Sequence, residues 1–187
     1  MSSLLFYRGV PCERSGGVWA YISPSRLNLW LKCPLAFKLR YIDGVATPST
    51  PSLFIGKMVH AGLERFYRHR QLGVSPDVTS LLAGIEAGWS EAAAVEGISF
   101  KSVDNEATAR RQTLDLLRAY MASLPAEESR PLAVETALET VLVDPTTGEN
   151  LGIPLLGVMD LVLDDGGPTI CDFKTAAPQL GHAGDHA

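Results

Sequence analysis

Cysteine is scarce in this chain: three in 187 residues, at positions 12, 33 and 171. An odd and scattered set cannot build a disulfide framework, which suits a reducing compartment. No uninterrupted apolar run approaches the roughly 18 residues of a membrane span. Residues Met1 to Trp19 lack the basic-then-apolar pattern of a signal peptide, so the expected location is the cytosol and no membrane partner is expected. Internal repeats and low-complexity tracts are also absent. Basic charge is sparse after residue 72: residues 73–187 hold six Lys or Arg against eighteen Asp or Glu, whereas residues 1–72 hold ten against three. The net charge of −5 alone would argue against a nucleic-acid partner. The segregation argues the other way, because Arg65, Arg68 and Arg70 fall on one predicted helix and could meet a phosphate backbone. Taken alone, such a cluster is more often a solvated helix face.

With 46% hydrophobic content and a mean hydropathy of +0.10, the chain is long enough for one sizeable core, and a single domain over 1–187 is expected. Ser23 before Pro24 reads as an N-cap followed by proline at the first helical position, opening a helix with Leu27, Trp30 and Leu31. Pro34 should kink or restart it. A proline-punctuated link over 46–52 precedes a second helix, in which Ile55, Met58, Val59, Gly62, Leu63, Phe66 and Tyr67 recur at helical spacing up to Gly73. Leu81, Leu82, Ile85 and Trp89 predict a third helix. Leu114, Leu117, Met121 and Leu124 predict a fourth that stops before Pro125. From Leu132 the period changes to two, giving a strand through Val143, a turn at 144–148 and two further strands around the turn at 164–168. Helices first and a mainly antiparallel sheet afterwards define an α+β chain.

The chemistry concentrates on the last two strands. Alternation puts Val158, Asp160 and Val162 on one face, and Ile170, Asp172 and Lys174 on one face of the next strand, with Cys171 and Phe173 opposite. A carboxylate beside Val158, Val162 and Ile170 is costly unless it is paired, hydrated or bound to a cation. Two acids and a lysine at one place are the parts of a metal-dependent phosphodiesterase.

The spacing Gly157-x-x-Asp160 followed by Asp172-Phe173-Lys174-Thr175 resembles two motifs of the PD-(D/E)XK nuclease superfamily, in its RecB-like exonuclease branch. Ser23 to Leu27, through Cys33-Pro34 to Phe37 and Tyr41, is similar to that branch's N-terminal helix signature. Gly56-Lys57-Met58-Val59-His60 through Glu64 resembles its first motif. The resemblance spans about residues 21–175. It implies an α/β/α-type restriction-endonuclease-like core with a mixed sheet, and a catalytic set of Asp160, Asp172 and Lys174. It further implies Mg²⁺ or Mn²⁺ held by His60, Asp160, Asp172 and the Phe173 backbone carbonyl, which accords with the oxygen preference of these ions. DNA, bound through its backbone, is the implied partner, with a helicase or repair complex as a second. The function implied is DNA hydrolysis, as an exonuclease, in repair, recombination or foreign-DNA processing.

The branch would continue past Thr175 with a helix carrying Gln-x-x-x-Tyr, whereas here Gln179 is followed four residues later by Ala183. The expectation is therefore a core truncated before that motif, with 1–20 an N-terminal extension and 176–187 a disordered tail. His182 and His186 stand four apart, but flanking glycines disfavour a helix that would make them a metal pair. Some members use a cysteine at the place of Cys33 in an iron–sulfur cluster; three cysteines fall short of the four thiolates required, so Cys33 reads as a small apolar packing residue. Glu64, one turn beyond His60, could orient its ring or be a solvated acid. Glu135 and Glu139 share a strand face with Val141 and Val143, which makes a packing or ladder role at least as plausible as a catalytic one, and both stay outside the catalytic set. A non-catalytic DNA-binding or interaction module that keeps the nuclease fold is the alternative function.

Overall fold

A computed structural model of the protein describes residues 17–46, 48–125 and 127–175. The expectations for the first sixteen residues, and for the 176–187 tail with His182 and His186, lie outside these. In chain order the described elements are a single 3₁₀ turn at Gly17–Ala20, helices α1 (Pro24–Lys32) and α2 (Pro34–Phe37), and a π-helical turn at Lys38–Ile42. Helices α3 (Pro51–Gln71), α4 (Val78–Val95) and α5 (Val103–Ser123) follow, and then strands β1 (Pro131–Val143), β2 (Asn150–Asp164) and β3 (Pro168–Cys171). The architecture is α+β, consistent with a restriction-endonuclease-like fold. The strands form an antiparallel sheet in the order β1-β2-β3.

Each helix begins where the sequence supplies a partner for the otherwise unpaired first-turn N–H groups. Ser23 Oγ accepts from the Arg26 N–H, Thr50 Oγ1 from Leu53, Asp77 from Thr79 and Ser80, and Ser102 Oγ from Asn105, with Pro24 and Pro51 in first-turn positions. Pro34 restarts the first helix, and Cys33 closes α1 and caps α2, its Sγ accepting from the Ala36 N–H at 3.5 Å. Cys33 is only half-buried, so the packing role expected of it gives way to capping.

Helix α3 is the centre of the molecule. Phe54, Met58, Val59, Gly62, Leu63, Phe66 and Tyr67 are buried along it, while Ile55 is only partly so. They meet Leu81, Ile85 and Trp89 of α4, Leu114 and Leu117 of α5, and Val134, Leu161 and Phe173 from the sheet side. Gly62 lets Leu117 of α5 pack directly on α3: a Cβ there would lie 2.7 Å from both methyl carbons of Leu117, which is fully buried. Gly62→Ala gains up to about 1 kcal/mol of helix propensity but overpacks a site with no room to yield, at roughly 1–3 kcal/mol. A net loss of about 1–2 kcal/mol in a denaturant melt is the expected outcome; a stabilised variant would show that the helices can separate freely.

On the sheet, one expectation is corrected. β3 ends at Cys171, and Asp172 to Thr175 run on beyond the strand. Burial still alternates there, with Asp172 and Lys174 exposed and Phe173 buried. Of the apolar neighbours expected around the carboxylates, Val162 is buried, whereas Val158 is 38% and Ile170 64% exposed. A different carboxylate, Glu135, has its pKa raised chiefly by burial. The N-terminal segment also touches the sheet: the Ile22 N–H donates to the Pro154 carbonyl and the Leu156 N–H to the Ile22 carbonyl, each at 2.8 Å. This parallel bridge lies along the part of β2 that β3 does not reach.

Candidate active site

The β1–β2 register sets Val134 opposite Leu161 and Thr136 opposite Met159. Glu135, between them, therefore faces Asp160 across the pair. The β2–β3 register ends with Leu161 opposite Cys171, and beyond it the Phe173 N–H still donates to Asp160 Oδ2. Glu135 and Asp160 thus stand in a row across the β1–β2 pair, and Asp172 lines the same cleft. Glu135 reaches its place in a left-handed backbone conformation, φ 44°, unusual for a residue with a side chain. Such conformations cost on the order of 1–3 kcal/mol and concentrate at functional sites.

His60 comes to the row from α3. Its Nε2 lies 3.0 Å from the Phe173 carbonyl oxygen, and because a carbonyl can only accept, this nitrogen carries the proton. The lone pair then belongs to Nδ1, which stands 3.8 Å from Asp160 Oδ1 and 4.0 Å from Glu135 Oε1. One ligand atom from each of the three residues falls within 4.8 Å of the other two. Oxygen or nitrogen ligands about 2.1 Å from a common ion stand roughly 3.0–4.2 Å apart in octahedral geometry, so the observed spacing fits a divalent metal after a small contraction. Without a cation or a proton between them, these acceptors only repel. The Glu135 side chain retains 9% exposure and that of Asp160 13%. Burial, with the negative charges of Asp160 and Glu64 nearby, raises the Glu135 carboxyl from its ordinary value to about 7.

The Phe173 backbone holds two of these groups at once. Its carbonyl accepts from His60, and its N–H donates to Asp160 Oδ2 at 2.7 Å, leaving Oδ1 to face His60. Its ring in turn stacks on Tyr67, with centroids 5.9 Å apart, and meets Tyr120 edge-on. Tyr67 donates to Glu128 at 2.7 Å, so the 2.7 Å contact between the two phenols has Tyr120 as its donor. Arg70 closes the network on Glu128, and burial raises both phenols well clear of ionisation at neutral pH. Close approach also fixes the segment's end, where a Cβ at Gly56 would lie 3.0 Å from Thr175 Oγ1.

The sequence-derived candidates are thus distributed unevenly. His60 and Asp160 converge with Glu135; the Phe173 carbonyl is engaged by His60. Asp172 and Lys174 line the same cleft, of about 660 Å³, with Lys174 Nζ 2.6 Å from Asp172 Oδ2 and both side chains more than half exposed. That pairing holds the Lys174 ammonium above its ordinary range. Glu64 turns to Arg68, at 2.8 Å, rather than to His60. Two of the three arginines read as a phosphate-facing set have internal partners, Arg68 on Glu64 and Arg70 on Glu128; Arg26 of α1 likewise donates to the carbonyls of Val18 and Tyr21.

Glu135 is the site residue that the sequence pattern did not single out. Counting back from the pair nearest the turn, Val143 with Asn150, would set Glu135 opposite Val158. An irregularity between Val141 and Val143, where Gly152 adopts φ 73°, moves it two residues on to Asp160. The available signal was parity, which that shift preserves and which placed Glu135 on the same face as Asp160.

A model of the PD-(D/E)XK nuclease superfamily matches residues 21–186, and the chain belongs to that superfamily. No curated protein and no solved structure gives a significant match. Members of the superfamily are generally nucleases that use divalent metals, which makes DNA the implied substrate. Among the described residues, no helix is long and apolar enough to cross a membrane.

Metal loading should be coupled to protons, because Glu135 must ionise to act as a ligand. Calorimetry of Mn²⁺ binding in buffers of different ionisation enthalpy should show more proton release at pH 6 than at pH 8, with weaker binding at the lower pH. Release that does not change over this range would place the metal elsewhere.

Proposed function

We propose that this protein is a RecB-like, divalent-metal-dependent deoxyribonuclease that degrades DNA from its ends. The observation that carries this reading is the convergence of His60 Nδ1, Glu135 and Asp160 on one point, beside the Asp172-Phe173-Lys174 segment and in an open cleft. Those three residues, with Asp172 at the exposed side, would hold Mg²⁺ or Mn²⁺. When bound, the ion would polarise the scissile phosphate and lower the pKa of a water molecule.

The chain's own groups do the rest. The Phe173 peptide fixes the His60 tautomer and the Asp160 rotamer, so ligand atoms are oriented before an ion arrives. The ring packing of Phe173 between Tyr67 and Tyr120 holds that peptide in place, and misplacement by even about 1 Å can cost roughly 100-fold in rate. Lys174, on a flexible and exposed stem, exchanges Asp172 for the phosphate and stabilises the charge developing on its oxygens. Asp172, released, is then available to the metal.

The direct test is digestion of linear and covalently closed DNA of the same sequence with Mg²⁺, Mn²⁺ or a chelator. Loss of the linear form only, and only with metal, is expected. Cleavage in chelator would contradict the metal dependence, and equal attack on closed circles would contradict action from ends.

A further inference from the structure

The cleft holds a second lysine for which the chemistry above has no use. Lys57 lies on α3, one turn before His60, and lines the same cavity. Its Nζ is ion-paired with Glu96, which caps the end of α4, and about half of the lysine side chain is exposed. Next to this pair, Leu53 and Val95 also line the cavity, yet they are 54% and 72% exposed. Exposed apolar side chains flanking an ammonium make a surface that is unlike the acids Glu135 and Asp160 that line the same cleft.

Charge shows why the pair matters. The cavity lining contains five acidic residues and two lysines, Lys57 and Lys174. Each lysine is held by a carboxylate of the lining, Glu96 and Asp172 respectively. A polyanionic strand therefore finds no uncommitted lysine in the cavity, and it gains one only by displacing a carboxylate. Glu96 is well suited to being displaced, since an exposed ion pair is worth about 1 kcal/mol or less, and a lysine serves a phosphate oxygen equally well as a point charge.

Resting on the nuclease reading, we propose that the α3–α4 side of the cleft is a nucleotide subsite for single-stranded DNA. Lys57 takes the phosphate adjoining the scissile one and gives up Glu96, while the attached nucleoside lies against Leu53 and Val95. Duplex DNA is disfavoured because a base reaches that wall only when it is unstacked.

Fluorescence anisotropy in Ca²⁺, with a labelled single strand, the matching duplex and an abasic strand of equal length, tests this on the whole chain. Lys57→Gln should weaken single-strand binding roughly 5-fold and lower the salt slope by about 0.7, the contribution of one phosphate contact. Glu96→Gln should instead tighten binding, roughly 5-fold, by freeing the lysine. Val95→Ser should narrow the preference of the wild type for the normal over the abasic strand. A purely structural ion pair would make the first two variants change affinity in the same direction, because both break one contact. That outcome, or no change in either, overturns the subsite while leaving the nuclease reading intact. Equal wild-type affinity for the normal and abasic strands, or for strand and duplex, also overturns it. Failure of the wild type to bind any of the three would instead defeat the DNA reading and the subsite with it.

Discussion

Asp160→Asn should reduce metal-dependent DNA cleavage by about 1000-fold or more while leaving the fold in place. The metal supplies several kcal/mol of charge stabilisation in phosphoryl chemistry, and each 1.36 kcal/mol is a factor of ten in rate. An asparagine is nearly isosteric and can still accept the Phe173 N–H through its side-chain oxygen, so the partly buried β2 position keeps its hydrogen bond. What it loses is the charge facing His60 Nδ1. The check is single-turnover cleavage of linear DNA, alongside a melt showing the two proteins to be comparably stable. Cleavage within about tenfold of wild type, in a preparation free of contaminating nuclease, would remove Asp160 from the chemistry.

Glu135→Gln should have two large effects of opposite sign. Its carboxyl is raised from the ordinary 4.5 to about 7 by burial and by Asp160 and Glu64. A carboxyl raised in this way binds its proton more tightly in the folded state. Its contribution to stability is therefore complete below about pH 4.5 and is lost as pH rises through about 7. At pH 8 the metal-free wild type carries a buried charge that glutamine removes. The variant should then be the more stable protein, by at most about 3 kcal/mol, and the gap should close as pH falls from 7 toward 4.5. Added Mn²⁺ should stabilise the wild type by mass action and the variant much less, and cleavage should fall together with the metal response. Melts at pH 5, 6, 7 and 8 with and without Mn²⁺ measure both effects. A variant less stable than wild type at pH 8 without metal would mean that Glu135 is a structural acid rather than a strained ligand.

Much of this was legible in the residues themselves. Helix α3 follows directly from the spacing of Met58, Val59, Leu63 and Phe66, but it starts at Pro51, capped by Thr50, inside the stretch 46–52 expected to be a link. The turns at 144–148 and 164–168 carry their own chemistry, with Asp144 Oδ1 accepting from the Thr146 and Thr147 N–H groups and Gly166 and Gly167 taking positive φ. His60 and Asp160 could be named because a spaced motif fixes residue types. Glu135 could not, since its partner depends on a strand irregularity far from it in sequence and on a left-handed φ that no local pattern announces. The extent of β3 was also out of reach: alternation continues through Lys174, but strand pairing ends at Cys171. Equally hidden was the committed state of the basic residues, because whether Arg68 and Arg70 face DNA or their own Glu64 and Glu128 is decided by tertiary placement.

Anomalous scattering from crystals soaked in Mn²⁺ addresses the metal centre most directly. The ion should appear within bonding distance of His60 Nδ1, Glu135 Oε1 and Asp160 Oδ1, with the Phe173 N–H still on Asp160 Oδ2. A Mn²⁺ peak bound to Asp172 alone, or no peak within reach of Asp160 at saturating metal, would contradict the assignment.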